Sequence, residues 1–238
     1  MISFILPVYN CFERLEEFLP PFVRQLAEGN EPWEVIVVDD GSREGDRIRE
    51  LVAASGCILV RNEVNRGKGY ALRRGFGQAK GELQMFMDGD FPFFPDVPWR
   101  MIEAFGDAQV DLVVGDRSLM DSVYPEDIGV MRRLGSGTLS FFAGHCFTAG
   151  FFDTQCGIKG FRRRVAADLF PMMTVDGFAI DLELLHVAIR RKYRIGRIAV
   201  GTIKQESSTV RVLRHGLETA GSILRIWFNE VRGRYRTS

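Results

Sequence analysis

The sequence predicts an α/β fold with a mostly parallel central sheet flanked by helices, and three observations carry the prediction. Over residues 1–115, short apolar runs alternate with longer amphipathic stretches, the pattern of strands joined by crossover helices. Those short runs are continuously apolar, as expected of strands covered on both faces. Three of them end directly in polar clusters, and open α/β sheets bind their ligands beyond the carboxyl ends of strands.

The elements follow in order. Ile2 to Val8 reads as the first strand, and residues 12–28 carry Leu15, Phe18, Leu19, Phe22, Val23 and Leu26 at helical spacing. Residues 34–38 form a second strand that ends in the turn Asp39-Asp40-Gly41-Ser42. A helix over 46–54 leads to a third strand at 57–60, a helix over 67–80 to a fourth strand at 83–87, and a helix over 99–105 to a fifth strand at 112–114. Beyond residue 116 the alternation weakens, with a helix expected near 181–191 and a strand near 194–203.

The bulk properties narrow the class. A chain of 238 residues buries a core of its own, and it divides into a main domain over 1–208 and a basic amphipathic helical appendage over 209–238. Lys plus Arg and Asp plus Glu both total 31, so no overall basic field points to nucleic acid. Cys11, Cys57, Cys146 and Cys156 show no Cys-x-x-Cys spacing, which argues against a zinc knuckle or a redox pair and for free thiols in a reducing compartment. The first apolar run is short and lacks a basic flank, so it reads as a strand and not as a secretory signal. No window reaches the roughly 20 apolar residues of a spanning helix. A cytoplasmic protein is expected, peripheral at most to the cytosolic face of a membrane.

Asp88-Gly89-Asp90 is the sharpest chemical signal. Two carboxylates around a glycine, directly after a buried strand, hold a divalent ion beside a pyrophosphate, and hard oxygen ligands suit magnesium or manganese. The same tripeptide is also good turn chemistry. Asp39 and Asp40 offer acceptors to a nucleotide base and ribose, or form an ordinary capped turn. Pro7, Tyr9 and Asn10 close the first strand with a ring that stacks and an amide that bonds a base, or simply end the strand. Asn65-Arg66-Gly67-Lys68-Gly69 opens a helix whose N–H groups and two cations suit phosphate, although it has neither P-loop nor dinucleotide-fold spacing, and a solvated loop fits it equally. Arg162-Arg163-Arg164 reads as a solvated face. His145, His186 and His215 lack metal-ligand spacing and read as structural.

In this order and at these distances, PVYN, VVDDGS, NRGKGYALRRG and MDGD resemble the family 2 glycosyltransferases of GT-A fold. Residues 153–161 and 177–185 are similar to the dolichyl-phosphate β-glucosyltransferase and polyprenyl-phosphate sugar synthase branch. The resemblance runs from about Ser3 to about Ser208. It implies that Asp40 contacts the base, that Lys68 joins the donor nucleotide site, and that Asp88 and Asp90 serve the metal and the diphosphate. It implies further that Arg117, with Arg132 or Arg133, faces an acceptor phosphate, and that Gln155 and Lys159 line the sugar or diphosphate pocket. The expected reaction is an inverting transfer of a hexose from a UDP- or GDP-sugar to a polyprenyl phosphate. Such an acceptor is already anionic and needs positioning more than a base. For a soluble hydroxyl acceptor, Asp181 is the candidate base, against its reading as a carboxylate favoured at a helix N-terminus. A nucleotide-sugar-binding protein without turnover is the alternative from another class.

Three departures bear on the resemblance. Cys11 stands where many relatives carry an acidic residue, the strand near 198–200 lacks their acidic and tryptophan-containing pattern, and membrane helices are absent from the sequence. Residues 210–236 instead carry an apolar stripe of Val212, Leu213, Leu217, Ala220, Ile223, Leu224, Trp227, Phe228 and Val231 among arginines. This helix is a candidate for lying on an anionic bilayer, for packing on the domain or for joining two copies in a homodimer, with packing the preferred reading.

Overall fold

The computed structural model describes residues 1–119, 121–122, 153–201 and 212–235, the last segment with its side chains from residue 220 onward. Strands β1 (Ile2–Val8), β2 (Trp33–Asp39), β3 (Ile58–Arg61), β4 (Leu83–Met87), β5 (Leu112–Asp116), β6 (Ile158–Arg162) and β7 (Ile195–Ala199) form one seven-stranded sheet. Its order is β3-β2-β1-β4-β6-β5-β7, and β6 alone runs antiparallel to its neighbours, β4 and β5. The helices are α1 (Phe12–Glu28), α2 (Gly45–Ala54), α3 (Lys68–Phe76), α4 (Val97–Ala104), α5 (Arg163–Leu169), α6 (Ile180–Arg190) and α7 (Val212–Val231).

The continuous apolar runs become central strands because successive side chains feed two different cores. Phe4, Leu6, Val35, Val37, Met85 and Met87 pack with Leu15, Leu19, Ile48 and Met101 from α1, α2 and α4. Ile5, Ile36, Val38 and Phe86 face the other way, against Leu72, Val165, Leu169, Ile180 and Leu184 from α3, α5 and α6. Each such side chain, taken fully out of water, contributes about 1.5–3 kcal/mol. Ile226 and Tyr235, from α7 and the turn after it, join this second core.

The elements expected through residue 114 all form, with shifted ends. α3 stops at Phe76 and not at residue 80, because the chain turns at Gly77. α4 starts at Val97, with Pro98 in the first turn, where the missing N–H costs nothing. β6 was legible only as part of a motif. A lysine, a glycine and an arginine in five residues hide a strand that is buried at four of its positions. The basic run is solvated at Arg163 and Arg164, which are exposed and pair with Glu82 and Asp111, but not at Arg162, whose guanidinium donates to the carbonyls of Val110, Phe105 and Asp107. Arg162 and Arg164 therefore clamp the connection between α4 and β5.

β1 is flanked by β2 on one side and β4 on the other, so chain order reverses across it. The crevice at such a reversal is where open α/β sheets bind ligands. The carboxyl ends of β1, β2 and β4 deliver Tyr9-Asn10, Asp39-Asp40 and Asp88-Gly89-Asp90 to that edge. Among the described residues no helix is long and apolar enough to cross a membrane.

Candidate active site

The β1 and β2 ends are bolted together by local hydrogen bonds. The Asn10 N–H donates to Ser42 Oγ at 2.9 Å, and Asn10 Oδ1 accepts from the Arg43 N–H at 3.0 Å. Asn10 adopts φ +50°, an uncommon conformation that asparagine tolerates better than most residues. Its amide oxygen therefore shapes the turn, while the Tyr9 ring beside it is 48% exposed and open to stacking. Gly41 has φ +78°, and a Cβ there would lie 2.7 Å from the Val64 backbone, so glycine is required where this turn meets the 64–65 loop.

The two adjacent aspartates have different work. Asp40 Oδ1 accepts from Asn62 Nδ2 at 2.6 Å, and its carboxylate also takes the N–H groups of Arg66 and Gly67. It is thus committed to holding the loop before α3, and the expectation that Asp40 reads the base finds its oxygens already engaged. Asp39 Oδ1 accepts the Ser42 N–H, but Asp39 Oδ2 is buried with no hydrogen-bond partner and lies 3.5 Å from an Arg61 guanidinium nitrogen. A buried acceptor left open is costly unless a ligand uses it. The Arg61 guanidinium beside it supplies the counter-charge that this buried oxygen has.

The α3 N-terminus is not an anion site. The carbonyl of Asp176 accepts from Gly69 N at 2.7 Å and from Tyr70 N at 3.3 Å, which closes off the N–H groups expected to meet phosphate. The approach is so close that a Cβ on Gly69 would lie 2.2 Å from the Val175 carbonyl oxygen. This segment instead aims Lys68 into the site. Lys68 Nζ contacts Asp88 Oδ1 at 2.8 Å and Asp181 Oδ2 at 2.9 Å. Asp181 Oδ1 in turn takes Lys159 Nζ at 2.6 Å, and Lys159 Nζ donates to the Cys156 carbonyl at 2.8 Å. Lys159 projects from central strand β6 and is wholly buried.

This chain of charges decides what Asp181 can do. Burial opposes its ionisation, but the Lys159 and Lys68 ammoniums overcome that and hold its carboxyl below the ordinary value. Burial likewise opposes the charge on Lys68, and Asp181 with Asp88 outweighs it and raises the lysine's pKa. With both oxygens occupied by ammonium groups, Asp181 is a poor proton acceptor. Its geometry here is that of a counter-ion paired with both lysines.

Asp88 and Asp90 line a cleft of about 120 Å³ together with Pro92, Phe93, Arg117, Gln155 and Gly157. The sheet shapes it closely: Asp88 N donates to the Gly157 carbonyl, Gly89 N donates to the Pro7 carbonyl, and a Cβ on Gly157 would lie 1.9 Å from Asp88 Oδ2. Phe91, at φ +48°, turns the chain sharply behind Asp90 and buries its ring against Phe18 and Phe22. Among the described residues no three His, Cys, Asp or Glu side chains converge as metal ligands. Two carboxylates and the nearby Gln155 amide suit a hard ion that takes its remaining oxygens from water and a diphosphate. The donor set therefore fits magnesium or manganese.

Arg117 is the cation on the far wall. Its Nε and Nη2 donate to the two oxygens of Asp153, each at 2.8 Å, and its backbone N–H donates to Oδ2 at 2.7 Å. Burial raises the Asp153 carboxyl, but the Arg117 hydrogen bonds and charge more than offset this and hold it below its usual range. The guanidinium is thus oriented by a bidentate partner while remaining 40% exposed. Arg132 and Arg133, expected beside it, lie outside the described residues. His186 pairs with Glu230 of α7 at 3.1 Å, a structural use in keeping with its reading from sequence, and Cys11, Cys57 and Cys156 are free thiols. Residues 153–161 were legible as a motif, but the roles of Asp153 and Gly157 were not, since one acts through Arg117 and the other only by lacking a side chain.

Comparisons with known proteins agree with this geometry. Residues 3–170 match the model of glycosyl transferase family 2. A dolichyl-phosphate beta-glucosyltransferase from Trichomonas vaginalis is 31% identical over 89% of this chain and 68% of its own length. The protein of that name from Dictyostelium discoideum is 28% identical over 98% of this chain and 75% of its own. Among solved structures, glucosyl-3-phosphoglycerate synthase from Mycobacterium tuberculosis in complex with Mn2+, uridine diphosphate and glucosyl-3-phosphoglycerate superposes with a TM-score of 0.71 at 20% identity. That superposition covers 95% of this chain and 79% of the synthase, and it shows a shared GT-A fold.

Proposed function

This chain belongs to glycosyl transferase family 2, and from that premise we propose that it moves a hexose from a UDP- or GDP-sugar to a polyprenyl phosphate, with inversion and with magnesium or manganese. The observation that carries the reading is the cleft in which Asp88 and Asp90 face Arg117 across Gln155 and Gly157. Two carboxylates that suit a metal-bound diphosphate line the same cleft as a guanidinium, 40% exposed, that suits a second phosphate, and this supports the reading. The names of the relatives from Dictyostelium discoideum, Trichomonas vaginalis and Homo sapiens, each a dolichyl-phosphate beta-glucosyltransferase, support the lipid acceptor.

In this reading Asp88 and Asp90 hold the metal, which when bound neutralises charge on the departing nucleoside diphosphate. The exposed Tyr9 ring stacks on the base. Lys68, kept protonated by buried Asp181, adds a fixed positive charge beside the diphosphate oxygens. Arg117, held in plane by Asp153, orients the acceptor phosphate for attack on the anomeric carbon. An anionic phosphate needs no proton removed, which suits a site in which buried Asp181 is locked between two lysines.

The test supplies radiolabelled UDP- and GDP-hexoses, either metal and a polyprenyl phosphate, and follows label into the organic phase. Label in extractable lipid, with Arg117→Ala raising the acceptor KM far more than the donor KM, supports the reading. Transfer only to water-soluble hydroxyl acceptors would remove the lipid from it.

A further inference from the structure

The described half of α7 has two unlike faces. Inward, Ile226 is completely buried, Asn229 Nδ2 donates to Thr174 Oγ1 at 2.9 Å and to Tyr235 Oη at 3.0 Å, and Glu230 pairs with His186 and Arg190. Outward, Leu224, Trp227, Phe228 and Val231 are 66%, 55%, 47% and 62% exposed. Their spacing of three, four and seven puts them on one stripe of the helix. The apolar stripe seen in the sequence is therefore split: a minor part, Ile223 with Ile226, packs on the domain, while the bulkier part faces away from it.

Arginines border the outward stripe. Arg232 flanks it on one side, its guanidinium over the Phe228 ring at 4.0 Å, with Arg225 on the same side donating to the Thr174 carbonyl at 3.1 Å, and the sequence from 211 to 236 carries six arginines against two glutamates. One of those glutamates, Glu230, is spent inward. A symmetric dimer through this face would set the same arginines against each other, whereas lipid phosphates neutralise them. Trp227 beside arginines also matches the headgroup boundary, where its indole N–H stays in water and its ring in the apolar layer, with Phe228 adding apolar area.

We propose that the Leu224, Trp227, Phe228 and Val231 face of α7 seats the protein on an anionic lipid surface, lying in the interface and not crossing it. The inference deepens the lipid-acceptor reading and rests on it for its purpose, since an acceptor phosphate at a membrane has to be met there. The helix is fixed to the site rather than hung on a tether. Tyr235 Oη donates to Glu183 Oε1 at 2.6 Å, Glu183 also takes the N–H groups of Thr174 and Val175, and Asp176 caps the helix that carries Lys68. Seating α7 would thereby set the orientation of the catalytic edge.

The experiment is sedimentation with vesicles of phosphatidylcholine alone or mixed with phosphatidylglycerol, both free of polyprenyl phosphate. The wild-type chain should bind the mixed vesicles, be released as salt rises, and lose at least about tenfold in bound fraction as the W227S/F228S variant. Arg232→Gln, which leaves the apolar stripe in place, should weaken binding to the mixed vesicles alone. Transfer to a short, water-soluble isoprenyl phosphate should be unchanged in both variants, which shows that they fold. Absence of binding to either vesicle, or binding that ignores both variants, overturns the proposal. So does a wild-type dimer in light scattering that W227S/F228S splits, because the face then belongs to a second copy. Vesicle binding by a chain that transfers no sugar to any isoprenyl phosphate would remove the acceptor reading and leave the lipid contact standing.

Discussion

Asp90 and Asp181 are both carboxylates at the catalytic edge, yet their surroundings predict opposite consequences for the same substitution. Asp181 is buried between two ammonium groups, so Asp181→Asn leaves Lys159 and Lys68 short of a counter-charge and should cost about 3–5 kcal/mol, read from a urea melt. Asp90 lines an open cleft, and Asp90→Asn should change the same melt by less than about 1 kcal/mol while removing metal-dependent turnover. A pH–rate profile separates the roles further: a base at Asp181 would give an acidic limb that Asp181→Asn erases, whereas a counter-ion leaves that limb in place and raises the donor KM. Gly157 offers a third probe. A methyl group there meets Asp88 Oδ2 at 1.9 Å, so Gly157→Ala should displace that carboxylate and lower kcat about 100-fold without unfolding the chain. Of these positions Asp88, Asp90 and Asp181 were legible from motifs, but the use made of Asp181 was not. Its two partners come from α3 and β6, far away in sequence, and only the fold brings them within 3 Å.

The helices and strands show where sequence pattern ends and tertiary context takes over. The first five strands were readable because each is a continuous apolar run between helices of clear period. β6 was not, because a central strand that carries a buried lysine breaks the local rule in favour of the site. The loop before α3 looked like a phosphate cradle for a related reason: its N–H groups are satisfied by Asp40 and by the Asp176 carbonyl, both remote in sequence. At the C-terminus, α7 is held by Tyr235, which donates to the wholly buried Glu183. Tyr235→Phe removes that donor and should cost about 1–2 kcal/mol, seen as a fall in Tm of about 2–4 °C for each kcal/mol. Donor binding should survive, because the lost bond lies on the α7 side of Glu183.

At the scale of the whole molecule, balanced charge conceals strongly biased local pairs, and these set the response to acid. Asp153 and Asp181 both have folded pKa values below their ordinary ones, through Arg117 and through Lys159 with Lys68. The unfolded chain therefore binds more protons than the folded one below about pH 4, so these pairs add stability above that pH and lose it as the pH falls through the folded values. Equilibrium unfolding between neutral and strongly acid pH should show this loss, and Asp181→Asn should flatten the acid limb. The same pairs stand around one cleft, at the sheet edge where three separate motifs converge, and so stability and chemistry draw on shared charges. The most direct measurement is release of nucleoside diphosphate from a UDP- or GDP-hexose in the presence of polyprenyl phosphate, for the wild type and for Asp90→Asn. Release that needs magnesium or manganese and falls at least about 100-fold in the variant is expected of a metal-held diphosphate. Metal-independent release, or release untouched by the substitution, would contradict a sugar transfer run from the end of β4.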